Sequence, residues 1–261
     1  MIKVLYFGDI VGKTGRRALE SYLEKNRGRI KPDLIIANID NVSSGKGPTF
    51  KAYEEMIGLG IDVLTCGDHI WDYKEVVNLL EEKNSKLIRP YNYPDICPGK
   101  GFIKVNVKGT DIVVASMLGR IWTKEGLESP FFKTDELLKN INSKIIIVDF
   151  HAEATSEKYA YAWDFAGKVS AIIGSHTHVQ TVDARIFEGF TGYITDVGFC
   201  GPKDSVIGVK PKESIKTFRT GIKTTLEPAQ GISQINALIL KIDQISGKTL
   251  DINPVNEFNC P

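Results

Sequence analysis

The sequence predicts an α/β fold built on a largely parallel sheet with antiparallel additions. Three observations carry that prediction. In the first half of the chain, short apolar runs alternate with stretches of helical periodicity. Around Lys108-Gly109-Thr110, and again near the end of the chain, two apolar runs face each other across a turn, which is the hairpin pattern. Finally, the chain has four histidines in 261 residues, and each closely follows a short apolar run. Open α/β sheets bind ligands at the carboxyl ends of their strands.

Val4 to Phe7 reads as a buried strand ended by Gly8-Asp9. A helix is expected from about Thr14, a plausible N-cap, with Ala18, Leu19, Tyr22 and Leu23 at helical spacing. Leu34 to Ala37 is a second strand, ending at Asn38-Ile39-Asp40-Asn41, and a Ser/Gly-rich loop follows. Thr49 can cap the next helix, which would bury Tyr53, Met56 and Ile57. Val63 to Cys66 is a third strand, ending at Gly67-Asp68-His69, and the next helix carries Val76, Val77, Leu79 and Leu80. Pro90 to Pro98 reads as irregular, Phe102 to Val107 and Ile112 to Ser116 as a hairpin, and Thr134 to Ile141 as a helix. Three more strands are expected at Lys144 to Val148, Val169 to Ile173 and Thr191 to Thr195. Gly201 to Gly231 is polar and punctuated by proline, the composition of a long surface excursion. Gly231 to Ile242 and Thr249 to Ile252 close the chain as an antiparallel pair. With no repeat and no linker, residues 1–261 read as a single domain.

Hydrophobic content of 42% and charged content of 25% are those of a globular protein. A net charge of +1 provides no global field for nucleic acid or an anionic membrane, so an anionic substrate must be met by local charge. The cysteines Cys66, Cys97, Cys200 and Cys260 have no C-x-x-C spacing, which argues against a thiolate zinc site and for free thiols in a reducing compartment. The apolar start stops at Gly8, too early for a signal peptide, and no apolar run reaches the length of a membrane span. A cytoplasmic location is the expectation.

The strand ends collect an unusual set of side chains: Asp9, Asp40 with Asn41, Asp68 with His69, His151, and the pair His176 and His178. An i, i+2 histidine pair puts both rings on one face of a continuing strand. On a loop, the two rings can instead turn toward one ion. A mixed Asp/Asn/His set suits Mn²⁺, Fe or Zn²⁺ better than Ca²⁺, and there are enough candidates for two ions. The alternative for each residue is a turn former, a cap or a packed histidine.

The order of these residues resembles that of the binuclear metallophosphoesterases. More closely, it resembles the YmdB-like 2',3'-cyclic-nucleotide 2'-phosphodiesterases, almost end to end. The matching stretches are Gly8 to Gly12, Ala37 to Asn41, Gly67 to Asp72, Asp149 to Lys158, Gly174 to Thr181 and Thr195 to Gly198. The runs D-F-H-A-E-A-T-S-E-K and H-T-H-V-Q-T are the most specific. The resemblance implies a four-layer α/β/β/α sandwich. It implies Asp9, Asp40, Asn41 and His178 around one metal, and Asp40, Asp68, His151 and His176 around the other, with Asp40 bridging. It implies His69 as proton donor. The expected cofactors are two divalent or mixed-valence ions, Fe or Mn first and Zn or Mg as alternatives. A metal-activated hydroxide would attack in line and open a cyclic nucleotide to a 3'-nucleotide. The expected partners are a nucleotide phosphoester and RNA ends, with no membrane, in a homo-oligomer. The alternatives are a broader phosphomonoesterase, a 3',5'-cyclic-nucleotide phosphodiesterase, or a regulatory nucleotide- or RNA-binding protein. The chain departs from the family pattern at Asp40, where Glu is expected, and at Asp68, where Asn is expected. The first shortens the bridge, and the second makes the site more anionic.

Gly12-Lys13-Thr14 invites a phosphate-loop reading, but Phe7 stands where that motif needs a glycine. Lys46, between two glycines, suits either phosphate or solvent. Glu153, Thr155 and Glu157 are candidates to orient ligands or to cap a helix, and Trp71 and Trp163 read as packing residues.

Overall fold

The computed structural model describes residues 1–123 and 126–260. Two sheets stack face to face. The first holds β1 (Ile2–Phe7), β2 (Asp9–Ile10), β3 (Leu34–Asn38), β4 (Val63–Thr65) and β5 (Leu87–Ile88). The second holds β6 (Phe102–Val107), β7 (Thr110–Leu118), β8 (Ile145–His151), β9 (Ala171–Ser175), β10 (Arg185–Phe187) and β11 (Thr191–Ile194). The chain then returns to the first sheet with β12 (Phe199–Pro202), β13 (Ser233–Ile242) and β14 (Thr249–Cys260). β1, β3, β4 and β5 run parallel, as do β7, β8, β9 and β11. The antiparallel pairs are β6–β7, β10–β11, β1–β13, β12–β13 and β13–β14.

Alternation along β1 explains the layering. Ile2, Val4 and Tyr6 face the second sheet and pack with Ile112, Val114, Ile145, Ile147 and Ile173. Leu5 and Phe7 face outward onto α1 (Gly12–Ile30), where Phe7 meets Tyr22 edge-on at 5.6 Å. α2 (Phe50–Gly58) and α3 (Val76–Glu81) complete that outer layer. α4 (Pro130–Asn140) and α5 (Thr155–Phe165) cover the far face of the second sheet through Leu137, Tyr161 and Phe165. The result is a four-layer α/β/β/α sandwich, the fold the resemblance implies.

The hairpin turn falls where expected, with Lys108 at φ 51° and Gly109 at φ 79°, the positive pair a two-residue hairpin requires. Thr49 caps α2 by accepting from the Ala52 N–H. Other expectations are corrected. Thr14 does not cap α1, which begins at Gly12 after Val11 with no side-chain cap. Its hydroxyl donates instead to the Ala229 carbonyl, and the Gly12 N–H is taken by the Asn41 carbonyl. The segment from Gly201 to Gly231 is more than a surface excursion: it includes the end of β12 and α6 (Pro211–Thr220), and its Ile207 carbonyl reaches His178. Among the described residues no helix is long and apolar enough to cross a membrane.

Candidate metal centre

All eight candidate residues converge at the carboxyl ends of the strands. The first sheet supplies the oxygens: Asp9 in β2, Asp40 and Asn41 after β3, and Asp68 after β4, with His69 beside it. The second sheet supplies three imidazoles: His151 ends β8, and His176 and His178 follow β9. His176 has φ 96° and His178 φ 63°, so the pair stands on a turning loop and not on a continuing strand.

Asp40 is fully buried and held by one oxygen. Its Oδ1 accepts from the Gly67 N–H at 2.6 Å, the His69 N–H at 3.0 Å and the Cys66 thiol at 3.0 Å. Its Oδ2 faces the centre, 3.4 Å from His151 Nε2. Asp68 Oδ1 lies 3.4 Å from the same nitrogen and 3.7 Å from His176 Nδ1. His151 Nε2 and His176 Nδ1 are 3.0 Å apart. On the other side, His178 Nε2 is 3.0 Å from Asn41 Oδ1 and 3.8 Å from Asp9 Oδ1. Ligand atoms of Asp68, His151 and His176 fall within 4.8 Å of one another, as do those of Asp40, Asp68 and His69.

The hydrogen bonds fix which nitrogen of each ring faces inward. Ser175 Oγ donates to Asp149 Oδ1 at 2.6 Å, so His151 Nδ1, 2.9 Å from that hydroxyl, is the donor. His178 Nδ1 donates to the Ile207 carbonyl at 2.8 Å, and His176 Nε2 donates to Glu153 Oε2 at 3.2 Å. The remaining nitrogens face carboxylate and amide oxygens, with lone pairs in the neutral rings. Without a cation the His151 ring holds a second proton toward Asp40 and Asp68, the positive charge that a bound ion would replace. Asp9 Oδ1 and Asp40 Oδ2 are buried with no hydrogen-bond partner among the described residues. Acceptors facing acceptors in a buried site need positive charge between them. The donor set therefore fits divalent cations, with mixed oxygen and imidazole ligands.

The titration of these groups reflects the same crowding. Burial pushes the Asp9 carboxyl up to about 6, against the pull of the His178 and His151 rings. Burial also disfavours charge on Asp40 and Asp68, but the adjacent His151 ring outweighs it, and both fall below the usual carboxylate range. His151 is raised well above its ordinary value because Asp40, Asp68 and Asp9 outweigh its burial. Burial, with His151 beside it, lowers His176 to about 4. Burial opposes charge on His69 too, yet the carboxylates of Asp40, Asp68 and Asp72 raise it. Its Nδ1 lies 2.7 Å from Asp72 Oδ2, and the ring lines a cleft of about 650 Å³ above the centre.

Several supporting residues escape a reading of the sequence. Asp149, fully buried between the sheets, accepts from Tyr6 Oη at 2.5 Å, Asn38 Nδ2 at 2.9 Å and the Thr65 hydroxyl, besides Ser175. It thereby sets the tautomer of His151 through Ser175. Asp196 accepts from the Thr177 N–H at 3.0 Å and pairs with buried Lys158 at 2.8 Å, which also donates to the Ser175 carbonyl. These two charges hold the histidine loop. The signal that could have found them is charge set amid apolar runs or inside the matching motifs. Gly67 and Gly174 make room: a Cβ at Gly67 would lie 2.2 Å from the His151 ring, and one at Gly174 would lie 1.7 Å from the Thr195 carbonyl.

A carboxylate and imidazole cluster at the strand ends of a four-layer α/β/β/α sandwich places the protein in the metallophosphoesterase class. Within it, the chain belongs to the YmdB-like family, whose profile matches residues 5–255. It is 38% identical over 256 residues to the 2',3'-cyclic-nucleotide 2'-phosphodiesterase of Bacillus subtilis, covering 97% of this chain and 96% of that one. It superposes on a hypothetical protein from Thermus thermophilus with TM-score 0.93 and 37% identity, covering 99% of this chain and 100% of that one. It also superposes on a protein from Mycoplasma pneumoniae described as a novel phosphatase, with TM-score 0.93 and 32% identity over 99% of this chain and 94% of that one.

Proposed function

We propose that this protein is a metal-dependent phosphodiesterase that opens 2',3'-cyclic nucleotides to 3'-nucleotides. The protein is a phosphoesterase, a hydrolase, as its relatives are named. The substrate assignment follows the name of the Bacillus subtilis relative. The observation that carries the chemistry is the set of inward acceptors: Asp9 Oδ1 and Asp40 Oδ2, buried and without a hydrogen-bond partner among the described residues, opposite the inward nitrogens of His151 and His178. Asp9, Asp40, Asn41 and His178 would hold one cation, and Asp40, Asp68, His151 and His176 the other, with Fe or Mn as the first candidates. Cations held there would supply Lewis acidity to the phosphoryl oxygens and to the attacking water.

The rest of the work falls to the chain. Asp72 holds His69 Nδ1, which leaves Nε2 for the leaving oxygen. The His69 N–H is tied to Asp40 Oδ1, so the ring keeps a fixed place relative to the centre. Attack at phosphorus breaks the P–O2' bond as His69 gives its proton to O2'. His69 recovers a proton from water, so the net change is addition of H₂O across that bond. Proton donation of this kind contributes ~10²–10⁴-fold. The test is hydrolysis of adenosine 2',3'-cyclic phosphate with added Mn²⁺, alongside elemental analysis and His69→Ala. The expected result is 3'-AMP as product, with His69→Ala keeping its metal and losing most turnover. Release of 2'-AMP, or loss of metal in His69→Ala, would refute the assigned role.

A further inference from the structure

Lys13 and Lys46 take no part in the centre described above, yet the fold brings them onto one path leading from it. The cleft over the centre continues into a second groove of about 500 Å³, and the two share Lys46 and Leu226 in their walls. Lys13 lines that second groove and also a third, of about 530 Å³, between α1 and α2. Arg17 and Lys51 line the third. Moving away from the centre, the cations come in the order Lys46, Lys13, then Arg17 and Lys51. All four are exposed, and none has an ion-pair partner among the described residues. Of the acids that line the second and third grooves, Glu55 is held by Arg16 at 2.5 Å and Glu227 by Lys210 at 2.6 Å, which leaves Glu20 against the four cations. The positive end of α1, a helix of 19 residues starting at Gly12, adds to the same path. With a net charge of only +1 over the chain, this concentration is local and not a general basic surface.

A cyclic mononucleotide brings one phosphate, and that phosphate belongs in the centre. The cations beyond it then have nothing to meet. A 2',3'-cyclic phosphate needs a ribose with both vicinal oxygens, and it forms directly when the 2'-hydroxyl displaces the next nucleotide of an RNA strand. A cyclic end that still carries phosphates on its 5' side is therefore the 3' end of an RNA fragment. We propose that this path binds the phosphodiester backbone of an oligoribonucleotide whose 2',3'-cyclic end lies in the centre. The inference rests on the function proposed above and narrows its substrate to RNA ends. The reaction class that supplies such ends is transesterifying RNA cleavage.

The test compares kcat/KM, at low and raised salt, for adenosine 2',3'-cyclic phosphate, its 5'-phosphorylated form, and a dinucleotide and a hexanucleotide ending in the cyclic phosphate. It uses the metal-loaded protein and the triple variant Lys13→Ala, Arg17→Ala, Lys51→Ala. These three positions lie on exposed helix surface away from the centre. The hexanucleotide should exceed the mononucleotide by about tenfold or more at low salt. That advantage should fall with salt at a logarithmic slope of about −0.7 per phosphate engaged. The triple variant should abolish the advantage and leave mononucleotide turnover unchanged. Equal kcat/KM for mononucleotide and hexanucleotide would overturn the inference, as would an advantage that survives in the triple variant. A gain complete with the single 5'-phosphate would also overturn it, pointing to a phosphorylated mononucleotide instead. If no cyclic phosphate is turned over, the failure lies with the proposed function. Fluorescence polarisation with a hexanucleotide ending in a 3'-phosphate then decides the path alone: binding weakened tenfold in the triple variant supports it, and unchanged binding refutes it.

Discussion

Asp9 is the carboxylate whose burial is least compensated by the chain itself. Without a cation, its ionised form is penalised: burial raises it from 3.8 to about 6, a shift worth about 3 kcal/mol at 1.36 kcal/mol per unit. The sign follows from the raised value. In the metal-free fold Asp9 binds its proton more tightly than in the unfolded chain. Its stabilising contribution is thus complete below about pH 4 and lost as pH rises through about 6. Asp9→Asn removes the charge and keeps an oxygen to accept from the His176 N–H, now 3.2 Å away. After chelator treatment, the variant should therefore be more stable than the parent at pH 7.5 by about 3 kcal/mol, or about 5 °C in Tm. The difference should vanish toward pH 4. With Mn²⁺ restored, the order should reverse, since the parent, with its full set of carboxylates, gains the larger binding free energy. Urea and thermal unfolding followed by circular dichroism, from pH 4 to 8, measure this directly. A variant no more stable than the parent at pH 7.5 without metal would mean that Asp9 is not a stored electrostatic cost, and the cation-site argument would lose its main support.

Two further outcomes are expected. Asp149→Asn places an amide where Tyr6, Thr65 and Ser175 all donate, so the His151 tautomer is no longer fixed. Metal affinity should drop by roughly 10–100-fold in an equilibrium titration, with an unchanged affinity counting against the relay. Lys158→Met strands the Asp196 carboxylate in the interior, where the paired side chains are 0% and 1% exposed. Urea unfolding should show a loss of about 3–5 kcal/mol, and a loss under about 1 kcal/mol would mean that water reaches the pair.

The longer parallel strands were legible because each is an apolar run buried on both faces, as Leu34 to Ala37 and Val169 to Ile173 are. The eight strand-end residues were legible for the same reason: they stand directly after those runs. What escaped had a physical cause in each case. β2, β5 and β10 are two or three residues long, too short to show a period. α5 buries Glu157 and Lys158, so charged residues occupy its inward positions and blur the apolar stripe. Glu157 is inward because its carboxylate accepts the Arg120 and Ile121 N–H groups. β8 runs through Asp149 to His151, past the Val148 boundary the apolar run suggests, because four donors meet the Asp149 carboxylate inside the core. The reach of residues 201–231 back to His178 is a backbone carbonyl contact, which no side-chain pattern announces.

The division of labour between the two sheets has a mechanical consequence. Oxygen donors come from the strand ends of one sheet and the three inward imidazoles from the other, and elsewhere the sheets meet mainly through aliphatic side chains such as Val4, Ile36, Val114 and Ile147. Any cation bound between them is a rivet through the sandwich. Neither sheet alone carries a complete ligand set, so slippage of one over the other by even a fraction of a residue dismantles the centre. Conversely, loading the centre clamps the seam at the end of the sandwich where substrate enters. In such an architecture metal content and rigidity at the mouth of the cleft rise and fall together, and backbone amides at the ends of β3, β4, β8 and β9 should be the first to exchange faster when the metal is withdrawn.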